Sequence, residues 1–245
     1  NISVRGNSPD FVQWRLEGVE IVNPNHLSNA GTFSDKPAAV GGGTNILSAQ
    51  MLGRMDFLSG AFPAAGYANA LSGVFDMNLR NGNNEKYQHV VQAGLLGLDL
   101  SSEGPISKKS GSSYLFNYRY SFTGLLSQAG VIFGGEFITF QDIAFTLNFP
   151  TKKLGTFTLF GMGGTSSNEF TPDDDKANWE TSKDLSSVDY NGRMGLLGVK
   201  HNIKLFKDWN LHTVVVNSAQ ESLRNQYAEN ENIDYDYSAR NYTSF

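Results

Sequence analysis

The 245-residue sequence contains no cysteine, which excludes disulfides, thiolate metal sites and thiol catalysis. It has no run of 18 apolar residues, so no segment reads as a transmembrane helix. Lys and Arg never cluster beyond two in a row, and the net charge is −5 with a pI near 5.4. The basic footprint of a nucleic-acid binder is therefore missing, and no nucleic-acid partner is expected. Charged residues make up only 18%, and Trp numbers 3. The first residues are Asn-Ile-Ser-Val rather than Met, with no basic-then-apolar export signal, which reads as a chain whose start lies further upstream.

Catalytic patterns are also lacking. His26, His89, His201 and His212 are far apart and have no zinc-ligand spacing. Gly41–Gly43 lacks the lysine of a phosphate-binding loop. Asp173–Asp175 lacks the spacing and glycine of an EF-hand, and reads as a solvated loop. The expectation is a protein without enzymatic activity, cofactor or metal.

What is abundant is glycine (26), Phe (17) and Tyr (10). Many aromatics, many glycines and few charges suit an all-β protein with tight turns or a β-barrel with aromatic girdles; a soluble carbohydrate-binding sandwich shares the profile. Period-two alternation is clearest in two segments. Tyr114, Phe116, Tyr118, Tyr120 and Phe122 fall on one face, opposite Leu115, Asn117, Arg119 and Ser121. Ile143, Phe145, Leu147 and Phe149 oppose Asp142, Ala144, Thr146 and Asn148. Each reads as a strand with one apolar and one polar side. Tyr87–Ile106 reads as two strands meeting near Leu95–Gly97, and Thr156–Gly163, Arg193–Leu205 and Leu211–Ala219 read as one strand each.

The links between these strands separate the membrane and soluble readings. Those before Tyr114, Thr156 and Leu211 are short and polar. Those over about Thr123–Thr139, about Thr165–Ser187 and beyond about Gln220 read as long. Short turns at one end and extended loops at the other are the habit of an outer-membrane barrel. About seven strands are legible, too few for a closed single-chain barrel, so further chain is expected after Phe245.

Residues 1–86 have a different texture, rich in Gly, Asn, Ala and Pro. Asn1–Gly6 reads NISVRG, Trp14–Pro24 reads WRLEGVEIVNP, and Met55–Arg80 reads MDFLSGAFPAAGYANALSGVFDMNLR. In this order and spacing the three blocks resemble the plug of TonB-dependent outer-membrane receptors. That plug has a Val-Arg-Gly strand, a Leu-Asp-Gly-Val strand, a Gly-x-x-Pro-Ala-x-Tyr-Gly-x-x-x-Ser-Gly-Val segment and a last strand entering the barrel. The matching residues are Arg5, Gly6, Glu17, Gly18, Gly60, Pro63, Gly73 and Arg80. Two departures stand out: Glu17 replaces the usual Asp, and Gly66-Tyr67 inverts the usual Tyr-Gly.

The resemblance implies a mainly β protein. A small mixed α/β plug domain (residues 1–86) is followed by part of a large antiparallel transmembrane β-barrel (residues 87–245). It further implies an outer-membrane location in contact with lipid, uptake driven by a TonB complex that grips a segment upstream of this chain, and possible association with a surface lipoprotein or larger outer-membrane complex. A plugged barrel that binds or assembles without transporting stays open as an alternative. Asn117, Arg119 and Asp142 are expected to face the pore, where they can meet plug charges such as Arg5, Glu17, Asp56, Asp76 and Arg80. The aperiodic stretch of residues 23–45 is expected at the outer mouth, with Asn25, His26, Asn29 and Phe33 as ligand contacts. Iron chelates, vitamins, glycans and peptides are all substrates of the resembling family, and no residue discriminates among them.

Overall fold

The computed structural model describes residues 2–26, 41–67, 69–94, 97–121, 136–179, 182–228 and 231–245. Asn29, Phe33 and Phe122 lie outside these residues.

The amino-terminal strands are short because turn residues interrupt them. They are β1 (Gln13–Leu16), β2 (Val19–Glu20), β3 (Asn25–His26), β4 (Thr44–Asn45), β5 (Leu52–Leu58) and β6 (Val74–Leu79), with one helical turn, α1 (Ala64–Tyr67), before β6. Four of them form a mixed sheet in the order β2-β1-β6-β5, in which β1 and β6 run parallel. β3 and β4 form a separate two-stranded ribbon.

The rest is one antiparallel sheet of eight strands in sequential order. These are β7 (Gln88–Gly94), β8 (Gly97–Ser107), β9 (Ser112–Tyr120), β10 (Glu136–Pro150), β11 (Thr156–Phe170), β12 (Ser187–Phe206), β13 (Trp209–Ala228) and β14 (Glu231–Ser244). The strands number eight rather than about seven, because β13 runs on past Ala219 and Asn232–Phe245 is mostly strand. The expected alternation of short and long links holds only in part. The links before Thr156 and Trp209 are short, but the one between Ala228 and Glu231 is only two residues, and so is the one between Gly94 and Gly97. Parts of β11 and β13 carry polar residues on both faces, as in Ser166-Ser167-Asn168. The backbone ladder continues there without a hydrophobic period to reveal it.

The two faces of the large sheet differ. Ile143, Phe149, Leu197, Val199, Leu211 and Val215 point away from the amino-terminal sheet and are exposed. The aromatic rows thus lie outward rather than against a second sheet, as a membrane-facing wall requires. The inner face is not merely polar. Leu115, Ala144, Phe160, Met162, Leu196, Val214 and Val216 are buried against Trp14, Leu16, Ile21, Val22, Ile46, Met51 and Met77 of the amino-terminal unit. The sequence reading expected a polar wall there; an apolar centre holds the two units together, and the ionic contacts lie around it.

Candidate functional site

The seam between the amino-terminal unit and the inner face of the wall holds three buried carboxylates among the described residues, Glu17, Glu103 and Asp142. At one end, Arg80 follows β6 and forms a two-pronged pair with Glu103 on β8, at 2.8 and 3.0 Å. Glu103 also accepts from the Asn83 backbone N–H at 2.8 Å. This fork geometry suits guanidinium and carboxylate, both planar. Nearby, Ser48 donates to Asp99 of β8 at 2.6 Å, and Asn117 of β9 donates to the Leu100 carbonyl at 3.2 Å.

In the middle, Glu17 meets Lys200 of β12 at 2.8 Å. Backbone groups of the amino-terminal unit are bonded to wall hydroxyls as well: the Val22 N–H donates to Ser218 at 3.1 Å, and Ser244 donates to the Glu20 carbonyl at 2.7 Å.

Further along, Asp142 of β10 and Arg119 of β9 pair at 2.6 Å, with Asp142 1% exposed. The other Asp142 oxygen bonds His26 of β3, whose ring stacks on Phe140 with centroids 5.4 Å apart. Arg119 also donates to the Asn45 carbonyl of β4. The β3–β4 ribbon is thereby tied to two wall strands. Gly164 on β11 makes the approach possible: a Cβ there would lie 2.1 Å from Asp142 Oδ1 and 2.8 Å from His26 Cε1.

Asn117, Arg119 and Asp142 share the inner face. Arg119 and Asp142 pair first with each other, and of the amino-terminal charges expected near them none is their partner. Glu17 and Arg80 go to Lys200 and Glu103 instead. Asp76 accepts from the Gly18 N–H at 3.2 Å and from the Tyr67 hydroxyl at 3.1 Å, while Asp56 pairs with exposed Arg54. His26 is buried and turned to the wall rather than to an open mouth. Asn25 takes part in an asparagine network, donating to Asn23 Oδ1 at 2.7 Å and accepting from Asn45 Nδ2 at 3.2 Å.

The motif residues fall as follows. Val4-Arg5-Gly6-Asn7 is a tight turn, not a strand, because φ is positive at Arg5 (54°) and Gly6 (74°). Gly60 lies against the Arg5 guanidinium, and Gly73 against Val4, where a Cβ would lie 2.7 Å from Val4 Cγ2. Pro63 immediately precedes α1. Arg15 lies 4.5 Å over the Tyr67 ring, so the inverted Gly66-Tyr67 pair places an aromatic between Arg15 and Asp76. Burial and the Asp76 carboxylate, through its charge and its hydrogen bond, push the Tyr67 phenol above its ordinary pKa.

Sequence reasoning passed over Lys200, Glu103, Asp99 and Asn45. The alternating pattern places Glu103 and Lys200 on the inner faces of their strands, and a buried inner-face charge was the signal that could have found them.

Fold and seam together define a small mixed sheet packed on the inner face of one large antiparallel sheet. No protein-family model and no curated protein matches the chain in sequence. Among solved structures it is similar to the siderophore receptor PirA from Acinetobacter baumannii, with a TM-score of 0.56 at 16% identity over 98% of this chain and 37% of that one. It is also similar to the ferric enterobactin receptor PfeA in complex with BCV-L6, with a TM-score of 0.48 at 14% identity over 98% of this chain and 38% of that one. The fold is that of TonB-dependent outer-membrane receptors, and the chain spans well under half the length of these two proteins.

Proposed function

We propose that residues 1–86 are the plug and residues 87–245 the first wall strands of an outer-membrane transporter that imports its substrate with energy from a TonB complex. The observation that supports this reading is the seam. A small mixed sheet lies on the inside of a wall with an apolar outer face, held by an apolar centre and discrete ionic ties. Such a plug closes the pore at rest and can be moved by a pull. The partner would be the TonB complex, reached through a segment upstream of this chain, and the wall would sit in outer-membrane lipid. Asn29 and Phe33 belong to a stretch proposed to contact ligand, with Asn25 and His26 holding its foot. Because the similar PirA structure is of a siderophore receptor, ferric chelates are the first substrate class to test.

The test is uptake of radiolabelled iron, presented as a panel of ferric siderophores, by cells that depend on the full-length protein. Accumulation that stops when TonB is deleted supports the proposal. Binding without TonB-dependent accumulation of any panel member, or of vitamin, glycan and peptide probes, would favour the non-transporting assembly role.

A further inference from the structure

By local turn chemistry Glu17 is an unexpected residue. The β1–β2 connection has positive φ at both central positions, 55° at Glu17 and 83° at Gly18, which makes it a type I′ turn. Asn, Asp and Gly take the first of these positions readily; a longer side chain gains no local hydrogen bond to offset the left-handed backbone. Yet Glu17 is buried, and its side chain does two things at a distance. One carboxylate oxygen accepts the Leu79 N–H at 2.9 Å, at the last residue of β6. The other accepts from Lys200 Nζ at 2.8 Å across the seam.

Lys200 stands on the inner face of β12, in register with Thr158 and Val214 and next to the apolar centre. Its side chain is 13% exposed and that of Glu17 4%. Among the described residues no other carboxylate is within ion-pair reach of Lys200. A buried ammonium without a counter-charge is strongly disfavoured, so the lysine demands a carboxylate that arrives from the plug.

We propose that Glu17 and Lys200 are a matched positioning pair, in which the wall lysine selects glutamate over aspartate at the turn and so fixes where the plug sits against β12. An aspartate carboxylate would end one carbon–carbon bond sooner, about 1.5 Å. With contacts of 2.8 and 2.9 Å already at hydrogen-bond length, it would reach neither partner unless the turn or the lysine side chain moved. Under the outer-membrane plug reading, on which this sentence and the vancomycin readout rest, the pair sets the resting position from which the plug is pulled.

Turn chemistry and the matched pair make opposite predictions for Glu17→Asp. If the turn alone matters, aspartate strengthens it and the Leu79 amide exchanges no faster. If the pair positions the plug, the amide exchanges about 10- to 150-fold faster, the value of a lost hydrogen bond to a charged group. Intact cells carrying the variant would also become sensitive to vancomycin, which a seated plug excludes. Hydrogen exchange on the purified full-length protein reads the first effect. The same substitution in a Lys200→Met background separates pairing from loss of the Leu79 bond: Glu17→Asp is expected to cost clearly less there, because only the Leu79 bond is left to lose. Unchanged or increased Leu79 protection in Glu17→Asp, or an equal cost in both backgrounds, would overturn the pair. The exchange readout needs no substrate, TonB or membrane, so failure of the transport reading leaves that result standing.

Discussion

Asp142 and Arg119 stand in register on neighbouring wall strands, and a single Asp142 oxygen takes two hydrogen bonds from the guanidinium, 3.1 Å from Nε and 2.6 Å from Nη2. The second oxygen reaches His26, so one buried carboxylate ties two wall strands to a plug strand. Replacing the cation with an anion leaves that carboxylate uncompensated, a change that costs about 3–5 kcal/mol in a buried pair. Arg119→Glu is therefore expected to free the β3–β4 ribbon from the wall. Limited proteolysis of outer-membrane preparations checks it: cleavage within residues 23–45 is predicted, and wild-type resistance would refute it.

Gly164 tests the same contact from the third strand without touching a charge. A Cβ at this position would occupy the space of Asp142 Oδ1 and press on His26. Gly164→Ala is expected to reproduce the proteolytic signature of Arg119→Glu in weaker form, since Asp142 can turn aside while keeping Arg119. If the alanine variant matches wild type, the close approach of β3 to β11 does not hold the ribbon.

The large sheet was legible wherever its strands keep a clear period of two, because Tyr114–Tyr120 and Ile143–Phe149 set an apolar row on one face against polar residues on the other. It was illegible where that period lapses: Ser166–Asn168 and Leu223–Ala228 keep the backbone ladder but have no apolar side to mark it. In the plug, the order of motifs was visible, yet Val4-Arg5-Gly6 proved to be a turn, since a three-residue match carries no backbone angle. Asn117, Arg119 and Asp142 could be placed on the inner face from parity alone. Which charge met which could not, because Glu17 and Lys200 are 183 residues apart in sequence, and nothing local links them.

At the junction between plug and wall, charge alone is not enough. Arg80 grips both oxygens of Glu103 and also donates from Nε to the Gln50 carbonyl at 2.5 Å. Lysine keeps the charge but offers one point contact in place of the fork. Arg80→Lys is expected to cost about 1.5–3 kcal/mol, one or more hydrogen bonds to a charged group. Calorimetry of the purified protein should show an earlier melting transition, and an unshifted transition would show that the fork adds nothing over simple charge pairing.

Tyr67 supplies a pH test inside the plug. Burial, followed by the Asp76 charge and hydrogen bond, raises its phenol above the ordinary value of 10.0. A tyrosine raised in the folded state contributes stability that is fully present below the unfolded value and is lost as pH rises through the folded one. The stabilisation is thus constant at neutral pH and fades only in alkali. Difference spectra between wild type and Tyr67→Phe isolate this phenolate from the other nine of the 10 tyrosines. Ionisation above that of free tyrosine is expected; ionisation at or below it would remove the Asp76 contact.

The apolar centre of the seam makes the most demanding prediction, because it couples two strands of the wall. Phe160 on β11 is fully buried, and its ring fills the space that a Cβ on Gly198 of β12 would need, with Cζ 2.4 Å from that position. Phe160→Ala removes the ring from between plug and wall and is expected to cost about 3–5 kcal/mol. Gly198→Ala alone is expected to destabilise as well, through collision with the ring. In the double variant the collision is gone and the added methyl partly refills the cavity, so the two costs should not add. Residues in contact through a shared cavity show such coupling, of about 0.5–3 kcal/mol. Melting of the four proteins measures it directly. Additive losses would mean that Phe160 and Gly198 do not share a space, and that the plug is held by its ionic ties rather than by this packing.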